Sequence, residues 1–346
     1  MTQKRWRFLA ATAAGLFVLG GCGPRETTQS ESPATSAAPG AQAEGGGKTY
    51  LIGMSQANKG EPWRQAMNDQ IAAAAAKHPN LKVVFADAAQ DNAKQVADVE
   101  RFLQQGIDLL IISPNEAAPL TDAVAKAYDK GVPVIVLDRK VNGEKYTMWI
   151  GANNQEIGKR AGQYVAKWCA ENGRRPCRVI EIRGLEGSTP CKERGDGFRE
   201  GIKTNPDAKI VASQNGNWLR EKAVSVAQAM FQANPDVDVV YAHNDPMGEA
   251  AVISAGSAGR DAKKMLFVGI DALPTPDGGI RSVMGGRLGV SYVYPTGGQQ
   301  AIDYAVKILE GGEKPPKSVV LETEEVTRAN AAELLAKYGG NKEASR

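Results

Sequence analysis

Four short apolar runs in this chain each end abruptly in polar residues of a similar kind. Apolar runs of this length, bounded by turn signals, are typical of strands buried on both faces of a parallel sheet. In such sheets, ligands bind beyond the carboxyl ends of the strands. The pattern therefore predicts that acids, amides and an arginine gather where a small polar ligand would bind. The runs, with the polar residues after them, are 109–112 with Ser113 and Asn115, 134–137 with Asp138 and Arg139, 239–242 with His243, Asn244 and Asp245, and 266–270 with Asp271.

Strands and helices alternate from residue 49 to about residue 293. Pro62 lies in the first turn of a predicted helix, and Gly106 and Gly131 stand where helix C-terminal caps belong. Two similar sets of β–α units follow each other, which predicts an α/β fold of two similar doubly wound parallel-sheet lobes with a ligand cleft between them. The predicted strands are 50–54, 82–86, 109–112, 134–137, 177–182, 209–214, 239–242, 266–270, 289–294 and 318–322. The predicted helices are 62–77, 92–105, 118–130, 157–170, 192–205, 220–233, 247–258, 279–284 and 298–309.

The first 47 residues have a different character from the rest. A basic start and an apolar run too short to span a bilayer predict a secretory signal, 1–22, that ends in Leu-Gly-Gly-Cys. This ending resembles the lipobox of bacterial lipoproteins and predicts lipidation of Cys22; the alternative is an ordinary signal peptide with an incidental cysteine. Residues 23–47 are Ser-, Thr-, Pro-, Ala- and Gly-rich and predict a disordered tether. We therefore expect the protein in the periplasm or on the outer face of the cell membrane, held by a lipid anchor only.

The charge balance adds little to the predicted fold and function. The 346 residues include 42 Lys and Arg against 39 Asp and Glu, a net charge of +3, with no basic cluster that would predict a nucleic-acid partner. Three cysteines follow Cys22, and export permits disulfides. Cys169 and Cys177 could bridge a helix to the next strand and leave Cys191 free, but sequence alone does not fix the connectivity. His and Cys spacing predicts no metal site.

Asp138 and Arg139 are the most informative pair. A carboxylate accepts from two adjacent hydroxyls and a guanidinium donates in a fixed fork, which suits a vicinal diol. Trp63 and Trp218 each follow a predicted strand, and a flat aromatic face suits the C–H face of a sugar ring. Arg194, near the start of a helix, adds a further donor.

Each of these residues also has a structural interpretation. The Asp138–Arg139 pair could be a solvated strand end, each Trp could be core packing, and Asn244 with Asp245 could cap the next helix. The turn at residues 184–188 lacks the Gly-Lys-Ser/Thr ending of a phosphate loop. No nucleophile elbow or catalytic His motif is present, so we expect a non-enzyme with no catalytic residues and no cofactor.

At this point the motifs resemble those of bacterial periplasmic sugar-binding proteins of the ribose-binding type, closest to galactofuranose- and fructose-binding members. The resemblance covers about residues 49–330 and implies two lobes joined by three crossover strands. The stretches that carry it are IGMSQ at 52–56, PWR at 62–64, SPNE at 113–116, VLDRK at 136–140, ERGDGF at 193–198, YAHND at 241–245, GIDAL at 269–273 and YPTGG at 294–298.

Carried over residue by residue, the resemblance implies a set of ligand contacts and two departures. Glu61 stands near the position of the family's first-loop asparagine, and Val293, followed by Tyr294, replaces a glutamine. The implied lobes are 48–152 plus 294–321 and 153–293 plus 322–340, with hinge strands near 151–153, 293–295 and 321–322. The implied ligand contacts are Trp63, Arg64, Asp138, Arg139, Asn154, Arg194, Trp218, Asn244 and Asp271.

The resemblance further implies hinge closure around a monosaccharide, in a furanose form such as fructose or galactofuranose, by the monomeric substrate-binding lipoprotein of an ABC sugar importer. Its partners would be the sugar and ABC permease subunits in the membrane. The alternative is a sensor protein that presents bound sugar to a chemoreceptor or sensor kinase. A LacI-type regulator is disfavoured because the N-terminus predicts export rather than a helix-turn-helix, and a glycosidase is a remote reading.

Overall fold

The computed structural model describes residues 48–339. The predicted signal, lipidated Cys22 and tether lie outside the described residues. Within residues 48–339, no helix is long and apolar enough to cross a membrane.

The described chain alternates strands and helices as the sequence predicts, with boundaries shifted by a few residues. The strands are β1 Tyr50–Gln56, β2 Leu81–Asp87, β3 Leu109–Ser113, β4 Val134–Leu137, β5 Met148–Ala152, β6 Cys177–Arg183, β7 Ala208–Asn215, β8 Val239–Ala242, β9 Leu266–Val268, β10 Val290–Tyr292, β11 Ser318–Leu321 and β12 Glu325–Thr327. The helices are α1 Pro62–Ala75, α2 Asn92–Gln104, α3 Ala117–Asp129, α4 Asn154–Glu171, α5 Thr189–Ile202, α6 Arg220–Ala233, α7 Asp245–Ser257, α8 Gly279–Met284, α9 Gly298–Leu309 and α10 Ala331–Gly339.

Two six-stranded sheets confirm the predicted α/β fold class. The first has the order β11-β5-β4-β3-β1-β2 and the second β12-β10-β9-β8-β6-β7. All pairs in the first sheet are parallel, and in the second only β12 runs antiparallel, against β10. We call the parts built on these sheets the first lobe and the second lobe. The chain passes between them after β5, after β10 and after β11.

Three elements were not foreseen as such: β5, β12 and α10. The end of β5 coincides with a predicted crossover near residues 151–153. This strand is buried throughout and continues directly into the helix of the other lobe. Strand β12 is three residues long, too short to show a period-two pattern in the sequence. It gains its burial by pairing with β10.

Helices α4 and α5 pack unusually close together, because glycines face the partner helix. A Cβ on Gly158 would lie 2.2 Å from the Arg194 carbonyl oxygen, and one on Gly197 would lie 2.0 Å from the Gln155 carbonyl oxygen. The approach brings the start of α4 against the start of α5, where two predicted site residues lie.

The cysteine pairing that the sequence left open is settled by the fold. Cys169, late in α4, and Cys177, at the start of β6, form a disulfide with their Cα atoms 5.8 Å apart. Cys191 is a buried free thiol, and burial raises its pKa to about 11. This thiol is therefore protonated and unreactive at neutral pH.

Candidate functional site

A cavity lies between the two lobes, at the carboxyl ends of the strands of both sheets. Eight of the nine residues predicted to bind ligand line it, and Asn154 lies behind them. Among the described residues, no group of acids, His and Cys could hold a metal ion. The lining residues are Glu61, Trp63, Arg64, Asp138, Arg139, Pro190, Arg194, Trp218, Asn244, Asp271 and Tyr294.

Arg64, in the first turn of α1, is the best-anchored side chain of the first lobe. Its Nε donates to Glu61 Oε1 at 3.0 Å, and its Nη2 donates to Asp138 Oδ2 at 3.1 Å. Its Nη1 donates to Gln56 and to Ser113, which end β1 and β3. Burial alone would lower the pKa of Arg64, but the two carboxylates outweigh it and raise that pKa. This guanidinium is held in place before any ligand arrives.

Arg139, in contrast to Arg64, makes few hydrogen bonds within the protein. Only its Nη1 is bonded, to the carbonyl of Asn115 at 2.7 Å. Its Nε and Nη2 are buried and have no hydrogen-bond partner among residues 48–339, although they form longer ion pairs with Asp138 Oδ2 at 4.0 Å and Glu61 Oε1 at 3.6 Å. Burial, together with the nearby Arg64 charge, lowers the pKa of Arg139 to about 10. A buried unpaired donor costs about 1–3 kcal/mol, more when it is charged, so this edge of the guanidinium is built to meet acceptor oxygens.

Tyr294 joins the lobes at the floor of the cavity. Its hydroxyl donates to Asp138 Oδ1 at 2.6 Å and accepts from Asn154 Nδ2 at 3.1 Å. Asn154 Oδ1 in turn accepts from Arg194 Nε at 2.8 Å. Asn154 therefore orients Arg194 and Tyr294 and does not face the cavity. Trp63 donates its indole N–H to the Tyr294 carbonyl, which leaves the indole face as the part of Trp63 free to contact a ligand.

Trp218 and Asn244 form the second-lobe wall. Asn244 Oδ1 caps α7 by accepting from the Met247 N–H, and Asn244 Nδ2 donates to the Trp218 carbonyl. The helix-cap interpretation of Asn244 and its place in the cavity are thus both correct. The indole N–H of Trp218 is buried without a partner among the described residues, and the Arg139 guanidinium lies 5.6 Å from its ring.

Three cavity residues have left-handed backbone conformations that side chains other than glycine rarely adopt. They are Asp138 at φ 67°, Trp218 at φ 71° and Asp271 at φ 127°. Such strain costs of order 1–3 kcal/mol each and collects at binding and catalytic sites. Each of these residues follows a strand, so the strained turn points its side chain into the cleft.

The cavity lining contains as many arginines as acids: Arg64, Arg139 and Arg194 face Glu61, Asp138 and Asp271. Burial, with Asp245 nearby, raises the pKa of Asp271 well above its ordinary value. A cavity with this mixture of donors and acceptors suits a ligand that carries several hydroxyls.

Sequence reasoning left three lining residues out of the predicted set: Glu61, Pro190 and Tyr294. Tyr294 lies two residues beyond β10, near the carboxyl end of that strand, and this position is the signal that could have identified it. Glu61 precedes α1 and is bonded to Arg64 three residues later, a spacing the sequence shows.

Contacts between the lobes also close the mouth of the cleft. The Ala117 N–H donates to the Gly187 carbonyl at 3.0 Å, and the Lys140 N–H donates to Thr189 Oγ1 at 3.0 Å. On another side of the mouth, the Gln90 amide donates to the Asn217 carbonyl. The lobes are therefore in contact around the cavity as well as through the crossovers.

Comparison with known proteins identifies the class. Residues 52–314 match a family described as a periplasmic binding protein domain, and the chain belongs to that family. The ribose import binding protein of Bacillus subtilis is 30% identical over 256 residues, which cover 74% of this chain and 78% of that protein. The galactofuranose-binding protein of Escherichia coli is 29% identical, covering 83% and 90%. These relatives are named as binding proteins, not enzymes.

Comparison with solved structures leads to the same class of protein. The fructose-binding periplasmic domain of a hybrid two-component system superimposes with a TM-score of 0.80 at 40% identity, covering 85% of this chain and 96% of that one. A Mycobacterium smegmatis protein in complex with β-D-fucofuranose has a TM-score of 0.79 at 32% identity, covering 86% and 97%. This chain is thus a sugar-binding protein of the ribose- and galactofuranose-binding type.

Proposed function

We propose that the protein captures a monosaccharide in its furanose form, as a monomer, and delivers it to an ABC importer. The observation that carries this proposal is the set of buried donors without a hydrogen-bond partner among the described residues, Arg139 Nε and Nη2 and Trp218 Nε1, in a cavity lined by arginines and acids. Ring and hydroxyl oxygens of a sugar would satisfy them. The furanose ligand of a structural relative supports the furanose form.

Six of the nine predicted ligand contacts divide into two roles in this proposal. Arg139, Trp218 and Asp271 contact the sugar directly, and Trp63 stacks on its C–H face. Arg64 and Asn154 hold the contacting groups in position, since most of their polar atoms are already bonded within the protein.

A sugar panel tests the proposal. We expect at least one of D-fructose, D-galactose, L-arabinose, D-ribose, D-glucose and D-xylose to raise the melting temperature, because a ligand of the native state stabilises it. The Arg139→Ala variant loses two charged hydrogen bonds at about 1.5–3 kcal/mol each, which predicts affinity at least about 100-fold weaker. The matched control is Arg101→Ala, which removes a half-exposed arginine far from the cavity.

Two results would contradict the proposal. Arg139→Ala that binds sugar as tightly as the wild type would refute the assignment of the unpaired donors. A panel in which no sugar shifts the melting temperature would refute capture of these monosaccharides. If D-fructose binds, the ¹³C chemical shift of its labelled anomeric carbon in the complex distinguishes the furanose from the pyranose ring.

The likeness to the periplasmic domain of a two-component system favours a second candidate, a sensor that presents sugar to a kinase. Deletion of the gene separates the two. Loss of labelled-sugar uptake supports the importer, whereas intact uptake with loss of the transcriptional response to sugar supports the sensor.

We also propose that a lipid on Cys22 anchors the protein, on the strength of the lipobox-like sequence before it. In fractionated cells, Cys22→Ser should move the protein from the membrane to the soluble fraction. A Cys22→Ser protein that stays in the membrane fraction would contradict this anchor.

A further inference from the structure

His243 is buried at the end of β8, directly before Asn244. Its Nδ1 accepts the Gly184 N–H at 3.3 Å, and its Nε2 lies 3.0 Å from Glu181 Oε1. Because Nδ1 accepts, the proton of the neutral ring must be on Nε2, where it is donated to Glu181. The surroundings therefore fix one tautomer of the ring.

Glu181 is itself firmly held. Its other oxygen accepts from Arg199 Nη2 and from Ser213 Oγ, each at 2.6 Å. Glu181 is fully buried in β6, between β7 and β8. The imidazole is therefore attached to a rigid part of the sheet.

His243 also touches the supports of three cavity residues. Gly184 lies flat against the Trp218 ring, where a Cβ would be 2.0 Å from the indole. The His243 carbonyl accepts from Arg194 Nη1, and Asn244 is the next residue. A shift of this ring would therefore move the Gly184 backbone, and with it the Trp218 wall of the cavity.

We propose that neutral His243 is a positioning residue for the second-lobe half of the sugar site, and that protonating its Nδ1 weakens sugar binding. A proton on Nδ1 would face the Gly184 N–H, donor against donor, and push Gly184 away from His243, which would shift the Trp218 ring packed against Gly184. The sugar-binding test of this inference rests on the proposed function, whereas its spectroscopic test does not.

The charged groups around the ring set the direction of the effect. Glu181 and Arg183 face it from β6, Arg194 from α5, and Tyr241 lies beside it on β8. Burial lowers the pKa of His243, although the Glu181 carboxylate opposes this effect. The ring is therefore neutral at neutral pH and takes up a proton only in more acidic solution.

The spectroscopic arm uses wild-type protein without sugar. The chain contains only two histidines, His78 and His243, so ¹⁵N-histidine labelling gives two rings, assigned with His78→Gln. We expect His243 with bare Nδ1 and protonated Nε2, and we expect the Trp218 indole N–H resonance, assigned with Trp218→Phe, to shift as His243 titrates. The opposite tautomer, a Trp218 resonance that ignores the titration, or a ring that stays neutral until acid unfolding would each overturn the proposal.

The binding arm measures D-fructose affinity by calorimetry between about pH 8 and 5, the range of a histidine charge change. Wild type and the partly exposed His78→Gln control should both lose affinity in acid. His243→Gln should bind about tenfold more weakly at pH 8, since it loses at least one buried hydrogen bond, with a flatter pH profile. Circular dichroism checks that it folds.

Asp245 and Asp271 lie near the cavity and also titrate. The decisive quantity is therefore the difference between the pH profiles of wild type and His243→Gln. Burial raises the pKa of Asp245 to about 7 and that of Asp271 well above its ordinary value, so both contribute to every profile. Parallel profiles for His243→Gln and wild type would overturn the proposal. No binding of D-fructose at any pH would count against the proposed sugar, and the tautomer and Trp218 titration would still decide the role of His243.

Discussion

The close packing of α4 on α5 makes Gly197→Ala a sharp test of how the site is held. A Cβ at position 197 would lie 2.0 Å from the Gln155 carbonyl oxygen and 2.8 Å from the Lys159 nitrogen. Both atoms belong to the backbone of α4, so no side chain can move aside. The helices would have to separate by about 1.5 Å along this direction to restore an ordinary contact of about 3.5 Å.

The expected magnitude follows from two opposing effects. Overpacking of this kind costs about 1–3 kcal/mol, and a backbone clash belongs at the upper end. Alanine is about 1 kcal/mol better than glycine inside a helix, which leaves a net loss of about 2 kcal/mol. For a chain of this size, with an unfolding entropy of about 0.6 kcal/mol/K, that loss lowers the melting temperature by about 3 °C. Separation would also break the 2.8 Å bond from Arg194 to Asn154, so sugar should bind about tenfold more weakly.

Gly256→Ala is the matched control, because Gly256 lies near the end of α7 and a Cβ there has no neighbour within 4 Å. It should raise the melting temperature slightly, by the helix-propensity gain alone. Thermal unfolding and calorimetry with the panel sugar measure both variants. A Gly197→Ala protein as stable as Gly256→Ala, with unchanged affinity, would refute the packing argument.

Three further predictions concern the hydrogen bonds and the disulfide. Tyr294→Phe removes the hydroxyl that donates to Asp138 and should lower the unfolding free energy by about 1 kcal/mol and weaken sugar binding in calorimetry; unchanged values would contradict it. Cys169→Ser loses a disulfide that spans a sequence separation of 8 residues, which predicts about 2 kcal/mol less stability in urea, matched by reduced wild type and absent from Cys191→Ser. Burial would raise the pKa of Glu181, but its bonded partners lower it from 4.5 to about 2, so wild type should lose stability as pH falls through that range and Glu181→Gln should lose less.

Much of the fold could be predicted because buried parallel strands carry a local signal. The run at 109–112 is apolar throughout and fully buried, as a strand covered on both faces must be. Strand β12 could not be predicted in this way. Its three residues gain their burial and pairing from β10 and α10, which tertiary structure brings together.

The candidate site shows the same division. Asp138 and Asp271 were predicted to contact ligand because they follow strands, and the cavity contains both. Asn154 begins a helix, and its place behind Arg194 depends on how closely α4 and α5 approach. That distance is set by glycines on both helices, whose effect appears only when the two helices are packed together. Periodicity therefore locates site residues but does not separate those that face the ligand from those that support them.

The hydrogen bonds divide the charged residues of the cavity into two kinds, and this division predicts how a sugar would be oriented. Arg64 is bonded on all three nitrogens, so it fixes Glu61 and Asp138 and has little left to give. Arg139 and Trp218 carry donors without a hydrogen-bond partner among residues 48–339, and the Arg139 guanidinium lies 5.6 Å from the centre of the Trp218 ring. Sugar oxygens that act as acceptors should therefore face these two residues, while hydroxyls that donate should face the carboxylate of Asp271. A ligand without adjacent oxygens on one edge would leave one of those donors buried and unpaired, which is a physical basis for selecting polyhydroxylated rings.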